Sequence, residues 1–210
     1  MTPLVAERSR AYANFAAAFA YPGAETLEAI RSGDLADFFR LLLSGIDATF
    51  VSDVDWHALR GEGADLDGLQ EEFTRLFDAG DSGPLCPLHE SHYRGSELET
   101  FEELVRYYDF FGLSLPEDRQ VRPDHLATQL EFLHYLSFQE AQSAGDRDST
   151  ASLVRAQRDF ISRHTGAWVP LLAGALARQG VTSFFPELTR LLERFLQAEW
   201  RRLNEQADQA

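Results

Sequence analysis

Apolar residues recur along this chain at intervals of three and four, and no segment sustains the strict alternation of a half-buried strand. The pattern predicts an all-α protein. A first helix spans roughly residues 3–20 and is stopped by Pro22 and Gly23. Two short helices follow, the first ending at Gly33, the second opening with Asp34 at its cap and ending at Gly45. Residues 50–65 read as an irregular acidic connection containing Trp56. From Leu66, the positions Leu66, Leu69, Phe73, Leu76 and Phe77 fall at i, i+3, i+7, i+10 and i+11, one face of a helix. By default that face is core.

The segment D-A-G-D-S-G-P-L-C-P-L-H-E-S-H-Y, residues 78–93, breaks the period with two glycines and two prolines and reads as a long surface loop. Helix resumes from about Ser96 to Phe111 and stops at G-L-S-L-P-E-D. Pro123 reads as a first-turn proline, with Asp124 at the positive end of a helix carrying Leu126, Leu130, Leu133 and Leu136 to about Ser143. S-A-G-D-R-D-S-T is the clearest internal linker and a candidate hinge near residues 143–150. Three further helices are expected at about 150–164, 167–178 and 187–204. With no repeats, the whole reads as one helical domain over residues 1–210.

Composition narrows the function. A hydrophobic share of 44% with 16 phenylalanines supports a packed core. The lone Cys86 excludes an intramolecular disulfide and fits a reducing compartment. An apolar run of about 18 residues, as a membrane span needs, is not found, and the N-terminal stretch interrupts its apolar run with Glu7, Arg8 and Arg10, unlike an export signal. The expected location is the cytoplasm. All 19 basic residues are arginine, against 34 acidic ones, giving a net charge of −15. That balance argues against a nucleic-acid partner and favours a basic ligand.

Two chemical readings centre on the loop. Cys86, His89 and His92, with His125 or Glu90, supply ligand types for a metal, but as one dense cluster that two prolines constrain rather than as paired, well-spaced sets. A small metal-dependent enzyme using His89, His92, His125 and Asp124 is the corresponding alternative function. A nucleophile reading pairs Cys86 or Ser91 with His125 and Asp124, yet adjacent residues on a helix point about 100° apart and form no triad contact. No G-x-S-x-G elbow and no phosphate-binding loop is present. No catalytic residue, metal or cofactor is therefore assigned.

Three segments in order shift the balance. E-E-F-T-R-L-F-D-A-G (71–80), P-L-C-P-L-H-E-S-H-Y (84–93) and R-P-D-H-L-A-T-Q-L-E-F-L-H-Y-L (122–136) together resemble the TorD/DmsD/NarJ family of redox-enzyme maturation chaperones. R-D-F-I-S-R-H-T-G-A-W-V-P-L-L-A-G-A-L (158–176) is similar to that family's helix carrying His-x3-Trp. The resemblance implies a non-catalytic, all-helical cytoplasmic chaperone, a monomer or weak homodimer. Its partners would be the twin-arginine signal peptide and apo catalytic subunit of a molybdopterin oxidoreductase, held back from export until the cofactor is in place. An assembly factor for a non-exported, NarJ-type client is the alternative within the family.

Carried over residue by residue, the resemblance points to peptide binding by Phe73, Leu76, Phe77, Pro87, Leu88, His89, Ser91, Tyr93, Asp124 and His125. In that expectation Phe73, Leu76 and Phe77 wall an apolar groove, and Asp124 receives an arginine of the peptide, so that Asp124→Ala or Leu76→Ala weakens binding without disturbing the helices. Pro84 and Pro87 would limit the loop's conformations and lower the ordering cost on binding. His89 departs from the pattern, since many relatives carry an aromatic there.

Overall fold

The computed structural model describes residues 3–61, 63–79, 83–115, 121–143, 145–180 and 182–207. Parts of the expected stop at 112–118, of the 78–93 loop and of the 143–150 linker fall outside these residues. Among the described residues there is no strand, and the helices are α1 (Pro3–Ala18), α2 (Ala24–Arg31), α3 (Asp34–Ile46), α4 (Trp56–Leu59), α5 (Leu66–Phe73), α6 (Glu90–Tyr93), α7 (Glu97–Phe110), α8 (Leu126–Gln142), α9 (Arg147–Arg163), α10 (Thr165–Ala177) and α11 (Phe184–Ala207). No helix is long and apolar enough to cross a membrane, among the described residues.

Helix α8 lies at the centre. It packs along α1 on one side and α9 on another, while α10 and α11 close around α9. Its sequence shows why: Leu126, Leu130, Leu133 and Leu136 are fully buried, and so are the polar Gln129 and Ser137. A helix apolar on more than one side must be surrounded. Aromatic rings fill the layers between helices. Phe15 meets Phe39 at 4.5 Å and Phe195 at 5.7 Å, while Phe132 meets Tyr108 at 5.0 Å and Phe160 at 4.8 Å. One end of the bundle also encloses a charged cluster in which Arg8 pairs with Glu199, and Arg202 lies 3.1 Å from Glu199 and 3.6 Å from Glu140. Two arginines against two glutamates leave it neutral, as such deep burial requires.

Several boundaries move for identifiable reasons. Gly45 lies inside α3 rather than at its end, and Gly33, at φ 82°, rather than Asp34, caps that helix. The 50–65 connection contains a 3₁₀ turn, Ala48–Val51, and the short α4 capped by Asp55. The predicted face from Leu66 to Phe77 is interrupted: α5 ends at Phe73, and Thr74–Asp78 form a π-turn in which the Ala79 N–H reaches the Thr74 carbonyl. The Leu76 carbonyl is then taken by the Cys86 N–H at 2.7 Å. The π-turn thus ties the end of this element to the proline loop.

The groove-wall expectation for Phe73, Leu76 and Phe77 is corrected here. Their side chains are only 4%, 1% and 3% exposed. Phe73 and Phe77 pack edge-on against Phe185 at 5.5 and 5.3 Å, and Phe19 closes on Phe77. They form the aromatic junction of α1, α5 and α11. Leu76→Ala is accordingly expected to lower the unfolding free energy by about 2–5 kcal/mol, measured by denaturant titration. A loss below about 1 kcal/mol would show that the site collapses around the change or is not core.

Candidate functional site

The sequence R-P-D-H-L starts α8 later than expected. Pro123 and Asp124 precede the helix, His125 is its N-cap with Nδ1 accepting from the Ala127 N–H at 3.1 Å, and Leu126 is the first helical residue. The residue before a proline is kept extended. Residues 121–125 therefore run beside the proline loop, and the two exchange backbone bonds: Glu90 N–H donates to Asp124 O at 3.0 Å and Leu126 N–H to Leu88 O at 2.9 Å. His89 and His125 face each other across this one-residue bridge, rings 5.1 Å apart.

Asp124 fastens the bridge. Its carboxylate is fully buried and accepts from Ser91 Oγ at 2.6 Å and Ser91 N–H at 3.2 Å. The guanidinium of Arg122 grips it from the other side, Nε to Oδ1 at 3.0 Å and Nη2 to Oδ2 at 3.3 Å. His89 Nδ1 stands 3.4 Å from Oδ1. Burial alone would raise this carboxyl, but the contacts from His89, Arg122 and Ser91 outweigh it and hold it well below the usual carboxylate range. Asp124 is thus already paired within its own chain, and the expectation that it receives a peptide arginine gives way to a clamp. It does not bond the adjacent His125.

A second buried carboxylate, Glu90, extends the fastening. It accepts from Gln129 Nε2 at 2.6 Å and lies 3.0 Å from His164 Nδ1. Gln129 accepts in turn from Trp168 Nε1 at 2.9 Å, and Trp168 stacks on Tyr93 at 5.5 Å. The His-x3-Trp segment of α10 is therefore a bracket for the loop. The middle of that loop is buried, not superficial: Cys86, Pro87 and Leu88 are turned inward. His92 is exposed, and among the described residues no group of three His, Cys, Asp or Glu side chains is placed to hold a metal ion.

Beside the bridge opens a cleft of about 720 Å³. Tyr108, Phe132, Tyr135, Leu113 and Leu115 give it an apolar lining, His89 and His125 meet it from the bridge, and Asp78 and Glu131 bring carboxylates. Both acidic residues are exposed. Desolvation raises the Asp78 carboxyl against the opposing pull of His89. Burial, then His89 and Arg122, lower His125 to about 4 against the pull of Asp124, so its ring is neutral at pH 7. Of the ten residues expected to bind peptide, only His89 and His125 line the cleft. Phe73, Leu76, Phe77, Pro87 and Leu88 are core; Ser91, Tyr93 and Asp124 hold the loop. Asp78 and Glu131 were missed; their only signal is adjacency, one residue beyond Phe77 and six beyond His125.

The fold is all-helical, with the proline loop clamped to the start of α8 beside this cleft. Residues 34–174 match the nitrate reductase delta subunit family, and the chain belongs to that family. It is 33% identical over 184 residues to the selenate reductase assembly chaperone protein of Thauera selenatis, covering 87% of this chain and 93% of that one. It is 30% identical over 143 residues to the chaperone protein TorD of Vibrio cholerae, covering 65% and 63%. In fold it is similar to a solved Archaeoglobus fulgidus chain described as a redox enzyme maturation protein, with a TM-score of 0.53 and 21% identity over 90% of this chain and 93% of that one.

Two predictions separate the clamp from the cleft. Asp124→Ala leaves Ser91 without its buried acceptor and takes one of two partners from the partly exposed Arg122, and should cost about 2–3 kcal/mol of stability, whereas Ser91→Ala should cost about 1 kcal/mol. Equal, negligible losses would refute the clamp. A histidine with a lowered folded pKa binds fewer protons than its unfolded form, so stability should fall as pH drops from about 6.5 to 4. The Asp124 contribution, present above the unfolded aspartate range, is lost only below about 4. His125→Asn, which keeps a capping acceptor, should flatten the upper window alone; an unchanged thermal-melt profile there would contradict it.

Proposed function

We propose that the chain is an assembly chaperone for the catalytic subunit of a molybdopterin oxidoreductase, acting in the cytoplasm on the arginine-bearing N-terminal segment of that subunit before export. The carrying observation is the cleft, where two exposed carboxylates, Asp78 and Glu131, stand over an apolar lining next to a neutral His125. A twin-arginine signal peptide brings two guanidiniums followed by apolar residues, the complement of that surface. The kinship with a selenate reductase assembly chaperone supports a reductase client, and the net charge of −15 would steer a basic segment inward.

No chemistry is asked of the site. Guanidinium–carboxylate pairs give geometric selectivity through two parallel hydrogen bonds, and the aromatic lining supplies burial. Micromolar affinity requires about 8 kcal/mol, within reach of two or three apolar contacts and one charged pair. The fixed loop lowers the ordering cost of binding. The delta-subunit character of the family favours, as a second reading, a client whose N-terminal segment binds without being exported.

Calorimetric titration with a twin-arginine peptide should give micromolar binding that weakens with salt, and by roughly five- to tenfold in Asp78→Asn or Glu131→Gln. A twin-lysine peptide should bind more weakly. Equal binding of a peptide lacking the pair selects the second reading. No binding of any client N-terminal peptide rejects both.

A further inference from the structure

A second apolar surface adjoins the cleft at Arg122. That guanidinium lines the cleft, bonds Glu97 at 2.9 Å, and lies 5.0 Å over the ring of Phe101 on α7. Beyond it, the same helix exposes Leu98 (69%) and Val105 (38%), with the half-buried Phe101 between them, at i, i+7 and i+3. Single exposed leucines are ordinary; an apolar stripe at helical spacing, continuous with a cleft, is not. It runs roughly 10 Å along the axis, two turns of helix. Helix α7 carries five carboxylates: Glu97, Glu102 and Glu103 pair with Arg122, Arg106 and Arg163, and Glu99 and Asp109 are exposed.

We propose that this stripe is a second docking surface for the client chain. Resting on the cleft reading above, it leaves the arginines and the apolar residues next to them in the cleft and assigns the stretch beyond those to α7. The occupant is a stretch of about two helical turns, apolar at three- and four-residue spacing and flanked by basic residues, laid over Leu98, Phe101 and Val105. Arg122 is the ridge between the two surfaces, fixed by Asp124 and Glu97, so the client chain must cross it. The acidic edges of α7 match basic flanks and reject acidic ones.

The test uses the full chain, the double variant Leu98→Ser/Val105→Ser, and two peptides: one ending just after the arginine pair, one extended through the apolar stretch. Both substitutions are at exposed positions, so the melting temperature should hold. Wild type should bind the extended peptide at least tenfold more tightly than the short one, and the double variant should lose about tenfold on the extended peptide alone. Glu102→Lys should weaken the extended peptide at low salt only. If the variant binds both peptides as wild type does, the stripe is not a docking surface and the cleft reading stands. If wild type binds neither, the cleft reading fails and takes this inference with it.

Discussion

Everything at this site depends on one buried negative charge. Asp124 has no water to solvate it, and a carboxylate so placed is tolerable only if its lone pairs are filled. Ser91 fills them from the proline loop and Arg122 from the segment before α8. The requirement to satisfy one side chain therefore fixes two stretches of backbone that are more than thirty residues apart in the chain. The backbone bonds of Glu90 and Leu126 complete that joint. His125 then stands as both helix cap and cleft wall, and its neutrality follows from the burial the joint imposes.

The second buried carboxylate works in the same way one layer deeper. Glu90, Gln129, His164 and Trp168 form a chain of contacts from loop to α8 to α10. The loop is thus held on one face by Asp124, on another by Glu90, and at its start by the Leu76 carbonyl that the π-turn leaves available. A loop fixed at three places behaves as a wall.

Much of this was legible in the sequence. The 3.6-residue period located the helices, because burial of one face writes itself into local spacing. The same period placed Phe73, Leu76 and Phe77 on one face but could not say which surface that face meets, and Phe185, more than a hundred residues on, decided it for the core. The pairing of Asp124 was not legible, because it depends on the turn at Pro123 and Asp124, closed by the His125 N–H on the Arg122 carbonyl, which brings Arg122 back onto a residue two positions away. Nor were Asp78 and Glu131, or the Arg8–Glu199–Arg202–Glu140 cluster. Exposed and buried acids look alike until distant elements come together.

The most direct test of the joint is hydrogen exchange at single backbone amides in wild type and Asp124→Ala. If Asp124 holds the loop to the start of α8, the amides of Glu90 and Leu126 open together in wild type, exchange much faster in the variant, and are slowed in wild type by bound peptide. Independent opening of the two amides, unchanged by the substitution and by peptide, would contradict the account.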